Sequence, residues 1–323
     1  MKVFSKIKPK LIIGILILIL MIIFIINSEI YLQSIKDGLN LYVVCVLPSM
    51  LPFFFFSKIL TEINFGNTLA KYTYKPFQKL FRAPPISAFI FVMSILCGYP
   101  VGAKLIGECY ENNLISDSQA KKISTFCSTS GPLFIVGAVG VAMFDNKLYG
   151  FILLFAHYLG ALINGFIYRP KKKNTDEFLP LPTINSDDVL NKSMLNSFLS
   201  IGLVGGYITI FNMMLDLLTN VGIIPLISDI FYFLKVDRRL TSGVAGGLIE
   251  MTKGCLMLSK SGFSPHLILP LCEFLITFGG LSVTFQSMSF LSRTKISPAF
   301  YLLSKLSQGI ISSIICYLLS LLI

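Results

Sequence analysis

Charged side chains are scarce in this sequence and make up only 13% of its 323 residues. Hydrophobic residues make up 54%, and the mean hydropathy is +0.77. Soluble globular domains do not have this balance, because their surfaces carry many more charged groups. The composition therefore excludes a soluble domain and predicts an all-α polytopic membrane protein.

Histidine is also scarce, and paired cysteine motifs are missing. The two histidines, His157 and His266, lie too far apart to form an H-E-x-x-H motif or a His-rich metal site. We interpret each of them as a polar residue on a packed helix. The seven cysteines lie mostly in apolar segments, and no two of them form a C-x-x-C pair. This pattern predicts neither a disulfide framework nor a metal site, and we expect no cofactor.

The sequence also lacks a recognisable catalytic pattern. Neither histidine lies near a G-x-S-x-G motif or a paired-aspartate motif that could supply a nucleophile with its base. We therefore expect no catalytic residues and no enzymatic activity. A membrane scaffold would explain the apolar segments, but it would not need two matched sets of interrupted helices.

Basic residues outnumber acidic residues, 27 to 16, and give a formal net charge of +11. They are spread over short segments between the apolar runs, whereas nucleic-acid binding requires a basic patch on one face. An excess of Lys and Arg on the cytoplasmic side of a membrane explains this distribution. The charge distribution thus predicts that the protein lies in a lipid bilayer and does not bind a nucleic acid.

Apolar runs and polar joints divide the chain into four regions. Residues 1–40 contain a first transmembrane helix over 11–26, which is long for a signal peptide and has no cleavage site after it. The first repeat covers 41–169, a cytoplasmic linker rich in proline covers 170–192, and the second repeat covers 193–323. We expect seven membrane crossings and two re-entrant hairpins in all.

Helix-breaking motifs interrupt both repeats at corresponding places. In the first repeat they lie at 97–104, inside a hairpin, and at 126–132, inside the following span. In the second repeat they lie at 250–254 and at 278–284. Glycine and proline within apolar segments are typical of discontinuous helices whose ends meet inside a bilayer. A solute site is predicted at these breaks.

The first repeat aligns with the second without a gap when its residue numbers are shifted by the separation between Gly98 and Glu250. It places Gly102 on Gly254 and Ser130 on Ser282. An odd number of predicted crossings separates the repeats, so they are expected to be inverted in the membrane.

The breaks offer both charged and neutral groups to a solute. Half-helix N-termini at Gly102 and Gly131 would present free N–H groups and the positive end of a helix dipole to a carboxylate. Lys104 and Lys253 either pair with carboxylates directly or extend to the nearer membrane interface. Glu250 is predicted to be a lysine partner or a proton or cation site.

Hydroxyl groups at the breaks either bind the solute or only bond the preceding helical turn. The complete set of predicted substrate-binding residues is Gly98, Tyr99, Pro100, Gly102, Lys104, Ser128, Thr129, Ser130, Glu250, Thr252, Lys253, Gly279, Gly280, Ser282 and Gln286.

Four motifs, in this order along the chain, together resemble the sporulation integral membrane protein YlbJ family, also called SpoVV. The motifs are G-Y-P-V-G-A-K at 98–104, T-S-G-P-L-F-I at 129–135, E-M-T at 250–252 and G-G-L-S-V at 279–283. The resemblance runs from about residue 40 to the end. It implies the nucleoside-recognition Gate domain of concentrative nucleoside transporters. Lys253, and Thr284 before Gln286, depart from the small polar residue and the histidine that we associate with those places in the family.

The resemblance further implies a membrane transporter of endospore-forming bacteria. Its solute would be dipicolinic acid, passed from the mother cell across the outer forespore membrane. A nucleoside or another small polar solute is the alternative substrate, and a non-transporting sporulation scaffold is the alternative function. The residues leave open whether Na⁺ or H⁺ is coupled to transport and whether the protein is a homo-oligomer.

Overall fold

The computed structural model describes residues 9–170 and 188–323 of the chain. Every regular element in these two ranges is helical, so the predicted all-α architecture is confirmed there. Most of the predicted linker, 170–192, lies outside the described residues.

The first half contains a long interrupted helix, an amphipathic helix, a helical hairpin, a broken helix and a final long helix. Its elements are α1 (Pro9–Ile26), α2 (Ser28–Leu41), the π-helical segment π1 (Tyr42–Val46), α3 (Leu47–Glu62), α4 (Phe65–Phe81), α5 (Ser87–Cys97), α6 (Val101–Glu111), α7 (Asp117–Ser124), the π-helical segment π2 (Leu133–Met143) and α8 (Lys147–Ile167). The second span was expected over 41–60, but its helix begins at Ser28, because the more polar segment before it is helical too.

The second half begins with a long helix and continues with the same kinds of element. Its helices are α9 (Val189–Asn220), α10 (Ile223–Phe233), α11 (Arg238–Ile249), α12 (Met251–Ser259), α13 (Pro265–Phe278), α14 (Gly280–Leu291) and α15 (Pro298–Ser320). Helix α9 starts at Val189, a few residues before residue 193, where the second repeat was expected to begin.

Five helical stretches in the described ranges are long and apolar enough to cross a membrane. They are Ser28–Glu62, Lys147–Ile167, Val189–Asn220, Pro265–Leu291 and Pro298–Ser320. Large apolar side chains on these helices are exposed at the protein surface, as lipid contact requires; Leu199 on α9, for example, is 69% exposed. The chain is therefore a multi-pass membrane protein. The expected seven crossings would be these five together with α1 and the broken helix α7–π2. The number seven stays a prediction.

Local sequence signals set the ends of the short helices. A capping box starts α7: the Ser116 hydroxyl accepts from the Gln119 N–H, and the Gln119 side-chain oxygen accepts from the Ser116 N–H at 2.7 Å. Ser264 and Pro265 start α13 as N-cap and first helical residue, the position at which proline is favoured. The break after α7 begins at Thr125, next to the predicted start at residue 126, and the Thr125 carbonyl accepts from the Asn164 side chain at 2.7 Å instead of continuing the helix.

The helices of the two halves pack against each other. Helices α2 and α3 lie against α9, and α8 lies against α15. Helix α15 also packs along α13, while α6 contacts α14 and π2 contacts α12. These contacts bring the interrupted helices of both halves into the interior of the protein.

Candidate functional site

A small cavity lies where breaks from the two halves meet. Its volume is about 20 Å³, enough for about one water molecule. The first half contributes Tyr99 and Ser130 to its wall, and the second half contributes Glu250, Thr252 and Gln286. All five are predicted site residues. The remaining wall is apolar and consists of Val46, Met50, Phe134, Val204, Ile208, Met251 and Val283.

Glycines let the two breaks of the first half touch. Gly98 has a positive φ of 78°, and a Cβ atom there would lie 2.6 Å from the backbone nitrogen of Gly131. A Cβ atom at Gly102 would lie 1.7 Å from the carbonyl oxygen of Cys127. A side chain at either position would therefore push the breaks apart. Pro100, between these glycines, is the N-cap residue of α6 and follows a cis peptide bond.

The corresponding break between α13 and α14 also depends on glycine. Gly279 and Gly280 have positive φ angles of 82° and 64°. The hydroxyl of Ser282, one turn further on, accepts from the Gln286 side-chain amide at 3.2 Å. The break thus sets the start of the helix that carries Gln286 to the cavity.

Glu250 forms the N-terminal cap of α12. One carboxylate oxygen accepts from the Lys253 backbone N–H at 2.8 Å, and the other accepts from the Thr252 hydroxyl at 3.1 Å. The residue is 1% exposed. Free N–H groups and the positive end of the helix dipole stabilise this buried carboxylate. Glu250 thus contacts Lys253 through the backbone N–H and not through the ammonium group, whose pairing with Glu250 was one of the predicted alternatives.

The two predicted lysines lie away from the cavity wall. The Lys253 ammonium pairs with the Asp216 carboxylate at 2.6 Å, and both side chains are about one quarter exposed. The Lys104 ammonium donates to the Ser200 hydroxyl at 2.8 Å, in a separate cleft that also contains Lys58 and Glu108. Neither lysine offers its charge to the cavity in this conformation.

Two hydroxyl groups of the first break contact protein groups. The Ser128 and Tyr301 hydroxyls are 2.7 Å apart, and the Thr129 hydroxyl donates to the Ser94 hydroxyl at 3.2 Å. All these side chains are buried. Both predicted residues therefore hold the break in place in this conformation.

A buried lysine that the sequence analysis did not select lies directly behind the cavity. The Lys305 ammonium donates to the Tyr99 hydroxyl at 3.0 Å, to the Ser128 carbonyl at 2.7 Å and to the Gln308 side-chain oxygen at 2.8 Å. Lys305 is 1% exposed. It ties the hairpin break and the α7–π2 break of the first half to α15 of the second half.

A histidine and a glutamate extend this buried network. Nε2 of His157 accepts from the Ser130 backbone N–H at 2.9 Å, and Nδ1 lies 3.1 Å from Oε1 of Glu273. Nδ1 also lies 2.8 Å from the Thr277 hydroxyl, and the Thr277 carbonyl accepts from the Tyr99 hydroxyl at 2.9 Å. His157 and Glu273 are fully buried. Interpreting His157 as a polar residue on a packed helix thus overlooked a direct contact with a predicted site residue.

A sequence signal for this network was present. Glu273 and Lys305 are ionisable residues inside apolar segments that were predicted to span the membrane. Such residues almost always face a protein interior and pair with one another or with backbone carbonyls. What the sequence could not give was their partners, which come from other helices.

Comparison with known proteins gives a relative with a sporulation function. The chain is 28% identical over 317 residues to the sporulation integral membrane protein YlbJ of Bacillus subtilis (strain 168), a match that covers 89% of this chain and 77% of that protein. No family model matches the chain. No solved structure matches it either. The resemblance to the YlbJ family that the four motifs predicted is thereby confirmed over most of the chain.

Proposed function

We propose that the chain is a membrane transporter for a small polar solute, and that the cavity between the breaks is its solute site. The observation that carries this proposal is that interrupted helices from both halves line one cavity with polar groups. Irregular backbone is tolerated at membrane depth only where it is buried in protein or lines a cavity. Transporters use discontinuous helices of this kind to bind solutes near the middle of the bilayer.

The order of the helices supports an inverted repeat, an arrangement found in many transporters. An amphipathic helix, a hairpin, a broken helix and a long helix follow one another in each half. The aligned positions Gly98 and Glu250 both stand at the break of a hairpin, directly after α5 and α11. The last helices of the halves, α8 and α15, pack against each other, as equivalent elements around a pseudo-twofold axis do.

The name of the related protein supports sporulation as the process. We propose dipicolinic acid as the solute, as the resemblance to the YlbJ family implies. We propose that the chain acts at the outer forespore membrane. The cavity offers the Ser130 hydroxyl and the Gln286 side-chain amide to carboxylate oxygens, and Lys305 places a positive charge behind Tyr99. A dianion that enters also meets the Glu250 carboxylate. We therefore propose that it enters with a cation or proton that neutralises part of this charge.

A nucleoside, or another neutral polar solute, is the second candidate. The observation that favours it is the composition of the cavity wall, which includes the Glu250 carboxylate and the Gln286 amide but neither predicted lysine. A neutral solute with N–H and O–H groups could donate to Glu250 without a compensating cation. The present cavity is too small for either solute, so the walls must move apart during transport.

Uptake into proteoliposomes tests the proposal. Labelled dipicolinate and labelled uridine are compared, with and without Na⁺ and H⁺ gradients, for the wild-type protein and for Glu250→Gln. We expect dipicolinate uptake by the wild type and none by the variant. Glu29→Gln, which changes an exposed carboxylate on α2, is the matched control and should transport like the wild type. Uptake of uridine alone would support the second candidate, and uptake of neither by folded protein would favour a scaffold.

A further inference from the structure

The hydrogen bonds of His157 fix its protonation state. The Ser130 backbone N–H can only donate, so Nε2, which accepts it at 2.9 Å, carries no proton. The proton of the neutral ring is then on Nδ1, facing the Glu273 carboxylate and the Thr277 hydroxyl. In this conformation His157 is a neutral imidazole.

With a neutral His157 ring, the positive charge of Lys305 balances the negative charge of Glu273. The Lys305 nitrogen faces three acceptors, because the Tyr99 hydroxyl already donates its own proton to a carbonyl. This arrangement matches the three N–H donors of an ammonium. Oε1 of Glu273 accepts from the Thr277 hydroxyl at 2.6 Å and faces Nδ1, as expected for a carboxylate. The other titratable groups that interact with Glu273 are ordinarily neutral: Tyr99, Tyr158, Cys272 and Cys316.

A second proton on the His157 ring would conflict with the hydrogen bond that the ring accepts from Ser130. It would have to bind Nε2, and would then point at the N–H of Ser130, donor against donor. Protonation of His157 and the hydrogen bond from Ser130 therefore exclude each other. Because Ser130 lines the cavity, its release changes the cavity wall.

We propose that His157 is a proton-binding site whose occupation releases the first break from α8. The inference rests on the proposed transport function and assigns its coupling ion as H⁺. A hydronium ion gives one proton to the lone pair of Nε2 and leaves as water, while the hydrogen bond from Ser130 is lost. The imidazolium is paired with Glu273, whose Oε1 already faces Nδ1 at 3.1 Å and whose buried Oε2 has no hydrogen-bond partner among the described residues. Glu250 is less suited to this role, because both its oxygens already accept hydrogen bonds at the start of α12.

Hydrogen exchange at the Ser130 amide tests this site without any transport assay. Exchange is measured by mass spectrometry on the folded protein at about pH 8 and about pH 5, with correction for the intrinsic rate, since histidine titrates between these values. In the wild type we expect the protection factor to fall roughly two- to tenfold at the lower pH, the equivalent of one hydrogen bond. In His157→Gln, whose side-chain oxygen can accept from Ser130 but does not titrate, protection should be the same at both values.

Two further variants test whether the pH response comes from His157 and its partner Glu273. His266→Gln changes the other histidine, at the start of α13, and should respond to pH like the wild type. Glu273→Gln removes the partner of the imidazolium and should move the loss of protection to a lower pH. Equal protection at both pH values in the wild type, or the same fall in wild type and His157→Gln, would overturn the proposal.

Proteoliposome uptake then separates this inference from the transport function. The ratio of uptake with an inward proton gradient to uptake without one should exceed one for the wild type and equal one for His157→Gln, whatever the absolute rates. A ratio above one in the variant would overturn the assignment of the proton to His157. If the wild type transports no solute, the proposed function fails, while the exchange measurement still decides whether His157 binds the proton.

Discussion

Replacing Lys305 by methionine should destabilise the protein strongly. Methionine is close to lysine in length and packs well, so the change removes the ammonium without leaving a large cavity. It leaves the Tyr99 hydroxyl, the Ser128 carbonyl and the Gln308 side chain without their shared donor. It also leaves Glu273, with which Lys305 interacts electrostatically, as a buried carboxylate without a cation.

The expected size of the effect follows from the burial of this network. Removing one partner of a buried ion pair in direct contact costs about 3–5 kcal/mol, because the other charge remains uncompensated. Lys305 and Glu273 interact only at longer range, so this range is the upper bound for the electrostatic part of the loss. The double variant Lys305→Met with Glu273→Gln removes both charges and avoids that cost. We therefore expect it to be more stable than the sum of the single effects by about 1–3 kcal/mol.

Denaturant unfolding of purified protein measures both quantities, and size-exclusion chromatography after heating gives an independent ranking. Lys36→Met, which changes an exposed lysine on α2, is the matched control and should stay within about 0.5 kcal/mol of the wild type. A Lys305→Met protein as stable as the control would refute the reasoning. Strict additivity in the double variant would show that Lys305 and Glu273 are not coupled.

Three further predictions test the breaks and the topology. Gly102→Ala should lower the stability of the protein by about 1–3 kcal/mol, since its Cβ would lie 1.7 Å from a backbone carbonyl oxygen. The control Gly206→Ala, with open space around it, should raise stability by about 0.5–1 kcal/mol. Equal effects of the two variants in heat denaturation would contradict the close approach of the breaks. Glu250→Gln should abolish solute uptake while the protein still accumulates in the membrane, and wild-type uptake by this variant would leave Glu250 with its capping role alone. Cysteines introduced near Lys172 in a cysteine-free background should react only from the cytoplasm and those near Asn146 only from outside, and reaction of both from one side would rule out the inverted repeat.

The helix breaks were predictable because their causes are local. Gly98 and Pro100 cannot continue a helix whatever surrounds them, and Ser116 with Gln119 forms its capping box from residues three apart. The hairpins and the broken helices therefore lie close to where the sequence put them. The helix over 28–41 was missed because its polar residues hide it from a search for apolar runs.

The partners of the charged residues could not be predicted, because packing between distant helices decides them. Lys253 is bonded to Asp216, and Lys305 to Tyr99, across separations that no sequence pattern specifies. The prediction for Lys253 gave it either carboxylates to pair with at the solute site or the nearer membrane interface. Its position at the first turn of α12 gave no sign of the carboxylate on α9.

The central claim, that breaks from the two halves form one solute site, is tested most directly by crosslinking between Ser130→Cys and Ser282→Cys. Ser130 lines the cavity from the first half, and Val283, next to Ser282, lines it from the second. In a cysteine-free background, a short bifunctional thiol reagent should join the two cysteines. Dipicolinate should slow the reaction, while a monocarboxylate should slow it only weakly. Failure to crosslink in a folded, transport-competent protein would contradict a shared site.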